Sequence, residues 1–214
     1  MMSDRELFQE MLGLTNGGFD TLRTATSVTL MLLAIHPEIQ ERVYREILAV
    51  LCHKENTPPT SDQLLQLNLL TRVIKEALRL FPGIGMVARN ALQEMDCGGY
   101  TVPEGATLVV FIFGIHRDPK YWPNPNQFDP DRFLPSVSEK RNPNAYLPFS
   151  LGSRNCIGYK YAMMYLQTTL STILKRYRIL PGDRIRSVED IRFEFGMTLR
   201  LLSGNDVRLE LRRD

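Results

Sequence analysis

Phe149-Ser150-Leu151-Gly152-Ser153-Arg154-Asn155-Cys156-Ile157-Gly158 sets a cysteine at the end of a glycine-bearing loop, just before a long stretch of helical periodicity. In that stretch, 158–175, Ala162, Leu166, Leu170, Ile173 and Leu174 share one face and basic residues close the C-terminal end, which predicts a helix. The helix N-terminus and the neighbouring Arg154 both favour thiolate over thiol at Cys156. Gly152 and Gly158 let the backbone approach a flat ligand closely, and Arg154 is suited to pairing with carboxylates. Together these residues have the chemistry of a haem-thiolate cradle.

The rest of the chain limits the alternatives. Its 214 residues are 43% hydrophobic, enough for one domain with a sizeable core, and disorder is excluded as the main state. Lys and Arg number 26 against 24 Asp and Glu, so the net charge of +2 gives no bulk attraction for nucleic acid. Cys52, Cys97 and Cys156 are odd in number and widely spaced, which encodes neither a disulfide framework nor a zinc ribbon. Cys52 and Cys97 read as small buried hydrophobes. The three histidines lie too far apart in sequence to suggest a metal site. The longest apolar runs, Val28 to Ile35 and Leu108 to Ile115, are well short of the roughly 20 residues a membrane span needs.

Working outward, the pattern predicts a mainly α fold with small β-sheets. Leu22, Ala25, Val28, Leu32 and Ile35 give a helix over 20–35, and Pro37 opens a second helix with Ile39, Val43, Ile47 and Val50 on one face. A polar loop, 54–59, leads to Thr60 and Gln63, a capping box for a helix running to Leu80. Strand formers fill 107–115, and the proline-rich segment 118–148 reads as a long functional loop. At the C-terminal end, alternation over 193–201 and 207–211 around Ser203-Gly204-Asn205-Asp206 predicts a hairpin.

Phe149-x-x-Gly152-x-Arg154-x-Cys156-x-Gly158 resembles the haem-binding signature of the cytochrome P-450 monooxygenases. Three further motifs follow the family's order. Glu76-x-x-Arg79 matches its Glu-x-x-Arg pair, an i,i+3 spacing that puts both charges on one helix face. Phe128-Asp129-Pro130-Asp131-Arg132-Phe133 resembles its Pro-Glu-Arg-Phe element, with Asp131 in place of Glu. The resemblance implies that Arg132 joins Glu76 and Arg79 in a buried ion network that locks the long loop. Gly17-Gly18-Phe19-Asp20-Thr21 is similar to the oxygen-activating element, although Leu22 replaces the usual second hydroxyl residue. Two glycines there cost about 1 kcal/mol each against alanine, which suggests a gap in the helix.

The resemblance implies haem b with Cys156 as axial ligand to iron, cradled by Phe149, Gly152, Arg154 and Gly158. Arg89 falls where the family places a propionate-binding arginine, and Asp20 and Thr21 would deliver protons to dioxygen. Ile84 to Val87 and the turn at Gly204 correspond to regions that line substrate cavities. The implied activity is monooxygenation of a lipophilic substrate. The electrons would come from an NADPH-dependent flavoprotein reductase, sometimes aided by a cytochrome b-type donor. The cysteine loop most resembles the microsomal, fatty-acid-hydroxylase-type branch, which implies a parent protein at the endoplasmic reticulum membrane. A complete family member is about twice as long. Residues 1–214 are therefore expected to be one truncated catalytic domain, lacking the N-terminal half with its membrane anchor and substrate roof. Two other readings stay open: a non-catalytic remnant, and a haem-thiolate isomerase or dehydratase on the same fold.

Overall fold

The computed structural model describes residues 2–51, 58–202, 204 and 206–212. Cys52 and part of the predicted 54–59 loop lie outside the described residues. Helix α1 spans Asp4–Ile35, so the helical pattern over 20–35 extends back to Asp4. Its N-terminus is a capping box: the Glu6 amide donates to Ser3 Oγ at 3.3 Å, and the Ser3 amide donates to Glu6 Oε2 at 2.8 Å. The gap expected at Gly17-Gly18 is absent, because the helical ladder runs through both glycines and their propensity cost is offset by the cap and by the buried half from Thr24 to Ala34.

His36 leaves helical geometry (φ −125°, ψ 72°), as expected of a residue before proline, and α2 follows at Pro37–Leu51. The helix predicted from Thr60 to Leu80 is two: α3, Ser61–Gln66, and α4, Asn68–Leu80. The break falls at Leu67, which is fully buried, and Glu46 of α2 accepts from the freed amides of Leu69 (2.7 Å) and Leu70 (2.9 Å). A carboxylate brought in from another helix thus caps α4. The Thr60–Gln63 capping box is formed as predicted.

Four two-stranded antiparallel sheets are described. β1, Val87–Asn90, pairs with β4, Thr107–Val110, and β2, Met95–Cys97, pairs with β3, Tyr100–Val102. Cys97 is exposed, not buried, because the β2–β3 ribbon turns through Gly98 and Gly99 at positive φ with its strands largely in solvent. The apolar run after β4 becomes a helical turn, α5, Ile112–Ile115, which sets Ile112 and His116 one turn apart, both buried. Segment 118–148 is ordered as short turns, including a 3-10 turn at Pro130–Phe133 and a one-turn helix, α6, Pro135–Ser138.

Helix α7 spans Tyr159–Arg176 and packs with α1, α2 and α4 around the main core. β5, Tyr177–Pro181, continues from it. β6, Phe193–Phe195, pairs with β7, Leu199–Leu201, while β8, Val207–Leu211, pairs with β5, from Tyr177 opposite Leu211 to Pro181 opposite Val207. The predicted β7–β8 hairpin therefore does not form. Gln40 explains the choice: its side-chain amide accepts from Ile179 N at 2.8 Å and donates to Ile179 O at 2.9 Å, so β5 is clamped against α2 on one edge and offers its other edge to β8.

Candidate functional site

The cysteine loop is bent back on itself. The Cys156 amide donates to Phe149 O at 2.9 Å, the Asn155 amide donates to Gly152 O at 3.1 Å, and Ser150 and Gly152 hold positive φ of 60° and 87°. At Gly152 the left-handed backbone requires glycine. Phe149 thus contributes its carbonyl to the bend, with its ring 6.2 Å from that of Tyr159 at the start of α7. Cys156 is exposed, and so are Arg154, Leu151 (65%) and Ile157 (89%). Gly158, at the N-cap of α7, supplies no side-chain cap, which leaves the first helical amides beside the thiol without one. A Cβ added at Gly152 or Gly158 would meet nothing within 4 Å. An accessible sulfur, open glycines and apolar flanks fit a flat, apolar, iron-bearing group such as haem, and the buried-thiol alternative does not apply to Cys156.

The ion network is assembled. Arg79 Nε and Nη2 donate to Glu76 Oε2 (2.7 Å) and Oε1 (2.8 Å), and both side chains have 0% exposure. Arg79 also donates to the carbonyls of His116 (2.8 Å), Pro125 (2.7 Å) and Gln127 (3.2 Å). Arg132 Nε lies 3.5 Å from Glu76 Oε1, and its Nη2 donates to Asn124 O at 2.9 Å. Glu76 Oε1 further accepts the Asp129 amide at 3.0 Å. Burial pushes the Glu76 carboxyl up from its ordinary value, while Arg79 pulls it back down. One helix, α4, thereby grips the 118–148 segment at Pro125, Gln127, Asp129 and Arg132. Asp131, the residue standing where the family pattern has Glu, faces outward to Arg42 (3.1 Å) and Arg72 (3.3 Å) and ties the same turn to α2 and α4.

His116, Trp122 and Tyr146 belong to this structure and were not singled out from sequence as parts of the network. His116 is fully buried, with Nδ1 3.2 Å from Arg79 O, and its Nε2 accepts the Leu147 amide at 2.7 Å. An accepting Nε2 makes the ring neutral, with Nδ1 as donor, and burial lowers its pKa to about 3. Trp122, also fully buried, donates to Ala145 O at 3.2 Å, with Arg79 and Arg141 guanidiniums 4.9 and 3.9 Å from its ring. Tyr146 donates to Lys75 O at 2.9 Å, and burial raises its phenol well above the usual range. The recoverable signal was a lone histidine in Phe113-Gly114-Ile115-His116, on the helical spacing of Ile112.

On α1, Thr21 Oγ1 donates to Gly17 O at 2.8 Å. The Asp20 carboxylate accepts from Arg23 at 2.9 Å and from Thr198 Oγ1. The turn that meets α1 is therefore 196–198, between β6 and β7. Arg89 is exposed on β1 and donates to Ala88 O at 2.8 Å. Among the described residues, no hydrogen bond or ion pair joins Arg89, Asp20 or Thr21 to the Cys156 loop.

The model of the family described as "Cytochrome P450" matches residues 1–200. The chain is 38% identical over 209 residues to cytochrome P-450 4c3 of Drosophila melanogaster, covering 98% of this chain and 38% of that protein. It is 37% identical over 211 residues to human cytochrome P-450 4V2, covering 99% and 39%. Against mouse cytochrome P-450 3A13 the figures are 37% over 180 residues, 84% and 35%. The chain spans about two fifths of the length of the curated relatives it matches. With the folded cysteine loop and the ion network joining α4 to the long loop, this match over nearly the whole sequence establishes that the chain belongs to the cytochrome P-450 family.

Proposed function

We propose that this chain is the thiolate-supplying and oxygen-activating portion of a haem-dependent monooxygenase. Such an enzyme places one atom of O2 in a lipophilic organic substrate and reduces the other to water. The observation that carries the reading is the exposed Cys156 on a loop already bent by its own amides. When bound, haem supplies the iron at which dioxygen is reduced, with a thiolate ligand favouring O–O cleavage.

Each residue then has a task. Cys156 provides the sulfur, held in place by the Phe149 carbonyl on its amide. Gly152 and Gly158 keep the approach to that sulfur open, and Arg154 and Arg89 offer guanidiniums for the propionates. Asp20 and Thr21 would hold and pass on protons at α1, which would favour O–O cleavage over peroxide release. Glu76, Arg79 and Arg132 hold the 118–148 segment that leads into the cysteine loop. Electrons come from an NADPH-dependent flavoprotein reductase or a cytochrome b-type donor, and the similarity to family-4 enzymes supports a fatty-acid-like substrate and an endoplasmic reticulum location for the whole protein. Among the described residues no helix is long and apolar enough to cross a membrane. Residues 1–214 are read as a single portion of a catalytic domain.

Titration of haem into wild-type and Cys156→Ser protein tests this reading. The wild type should bind haem in a one-to-one complex, and the variant should lose the thiolate spectrum. Equal spectra for the two would refute it.

A further inference from the structure

The turn between β6 and β7 reaches α1 at the residues assigned to proton delivery. Thr198 Oγ1 donates to Asp20 Oδ2. The Leu199 amide donates to Gly83 O at 2.9 Å, and Thr24 Oγ1, one helical turn beyond Asp20, donates to Leu199 O at 3.3 Å. Gly83 completes the contact, since a Cβ there would stand 3.3 Å from Thr21 Cβ. The far side of the turn is aromatic: Phe195 packs edge-on against Phe111 and Phe113, at 5.8 and 5.2 Å between centroids, and lies over Gly85.

The Asp20 carboxylate thus has two partners. Arg23 is half exposed and pairs at i,i+3, an arrangement worth only a few tenths of a kcal/mol. Thr198 is partly buried and sits on a turn fixed by two further hydrogen bonds. We propose that Thr198 is a positioning residue whose hydroxyl fixes the Asp20 carboxylate beside Thr21, so that the β6–β7 turn governs proton delivery. This rests on the oxygen-activating reading of Asp20 and Thr21.

The test is hydrogen peroxide released per dioxygen consumed, in the full-length haem-loaded protein with its reductase. Productive turnover converts RH, O2, two electrons and two protons to ROH and water. The unproductive exit converts O2, two electrons and two protons to hydrogen peroxide. The ratio therefore reads proton placement and not electron supply. Thr198→Val and Thr198→Ala should each raise the peroxide fraction several-fold, and Thr198→Ser should restore the wild-type value. Amide exchange at Leu199, followed without haem, should be faster in Thr198→Ala than in Thr198→Ser. A wild-type ratio in Thr198→Val and Thr198→Ala, alongside a raised ratio in Asp20→Asn, would overturn the positioning role and leave the oxygen-activating reading standing. Equal peroxide release from the Ala and Ser variants would also overturn it. An unchanged ratio in Asp20→Asn would sink the underlying reading itself.

Discussion

Cys156 and Cys97 are both exposed, yet only one sits before a long helix in a loop closed by its own amides, and the sequence around each already distinguished them in chemistry. For Cys156 the proposed ligand role asks for an accessible sulfur, and the thiol is exposed. Exposure was misread for Cys97, because burial of a small residue depends on whether its ribbon packs on anything. The Glu76–Arg79–Arg132 set was legible from spacing and resemblance, whereas the carbonyls of His116, Pro125 and Gln127 that Arg79 also holds come from a distant loop and leave no local signal. Glu76→Ala leaves Arg79 buried without its bidentate partner and should cost about 3 to 5 kcal/mol. Urea unfolding checks the loss, and haem content of the full-length protein should fall to background. His116 gives a pH prediction. Its folded pKa, about 3, lies below the ordinary 6.5, so the unfolded state binds the extra proton between those values and stability falls as pH drops through that window. The slope is at most about 1.4 kcal/mol per pH unit for one proton. Glu76, pushed up by burial, contributes with the opposite sign in both proteins and cancels in a comparison. Urea midpoints of His116→Asn should therefore fall less from pH 6 to pH 4 than those of the wild type.

At the scale of elements, periodicity found the helices and missed their joints. The Thr60–Gln63 box and the apolar face of α4 were readable, but the break at Leu67 is decided by Glu46, more than twenty positions earlier in the chain and invisible to any local window. Glu46→Ala should destabilise the fold by about 1 to 2 kcal/mol through loss of this cap, measured by urea unfolding, with Glu46→Gln retaining part of the stability. Asp131 bridges Arg42 and Arg72 at a part-exposed position, so Asp131→Asn should cost about 1 kcal/mol or less in the same assay. Strand partners were the harder problem. Alternation marks 193–201 and 207–211 as strands, but the pairing of β8 with β5 is set by Gln40 on α2, a tertiary contact that alternation does not encode.

At the scale of the whole molecule, the first half of α1 presents Leu7, Phe8, Met11, Leu12, Leu14 and Phe19 to solvent, with Phe8 at 66% and Phe19 at 69% exposure. This chain matches only about two fifths of its relatives' length, and these side chains form an exposed apolar face. The 214-residue chain should bind an apolar dye strongly, and Leu7→Glu with Met11→Lys, one helical turn apart, should reduce that binding without changing the urea midpoint. The central claim concerns the sulfur and the iron it would hold. The reduced carbon-monoxide difference spectrum of the haem-loaded protein tests it most directly: the account predicts a red-shifted Soret band in the wild type that is lost in Cys156→Ser, and an unshifted band in the wild type would contradict it.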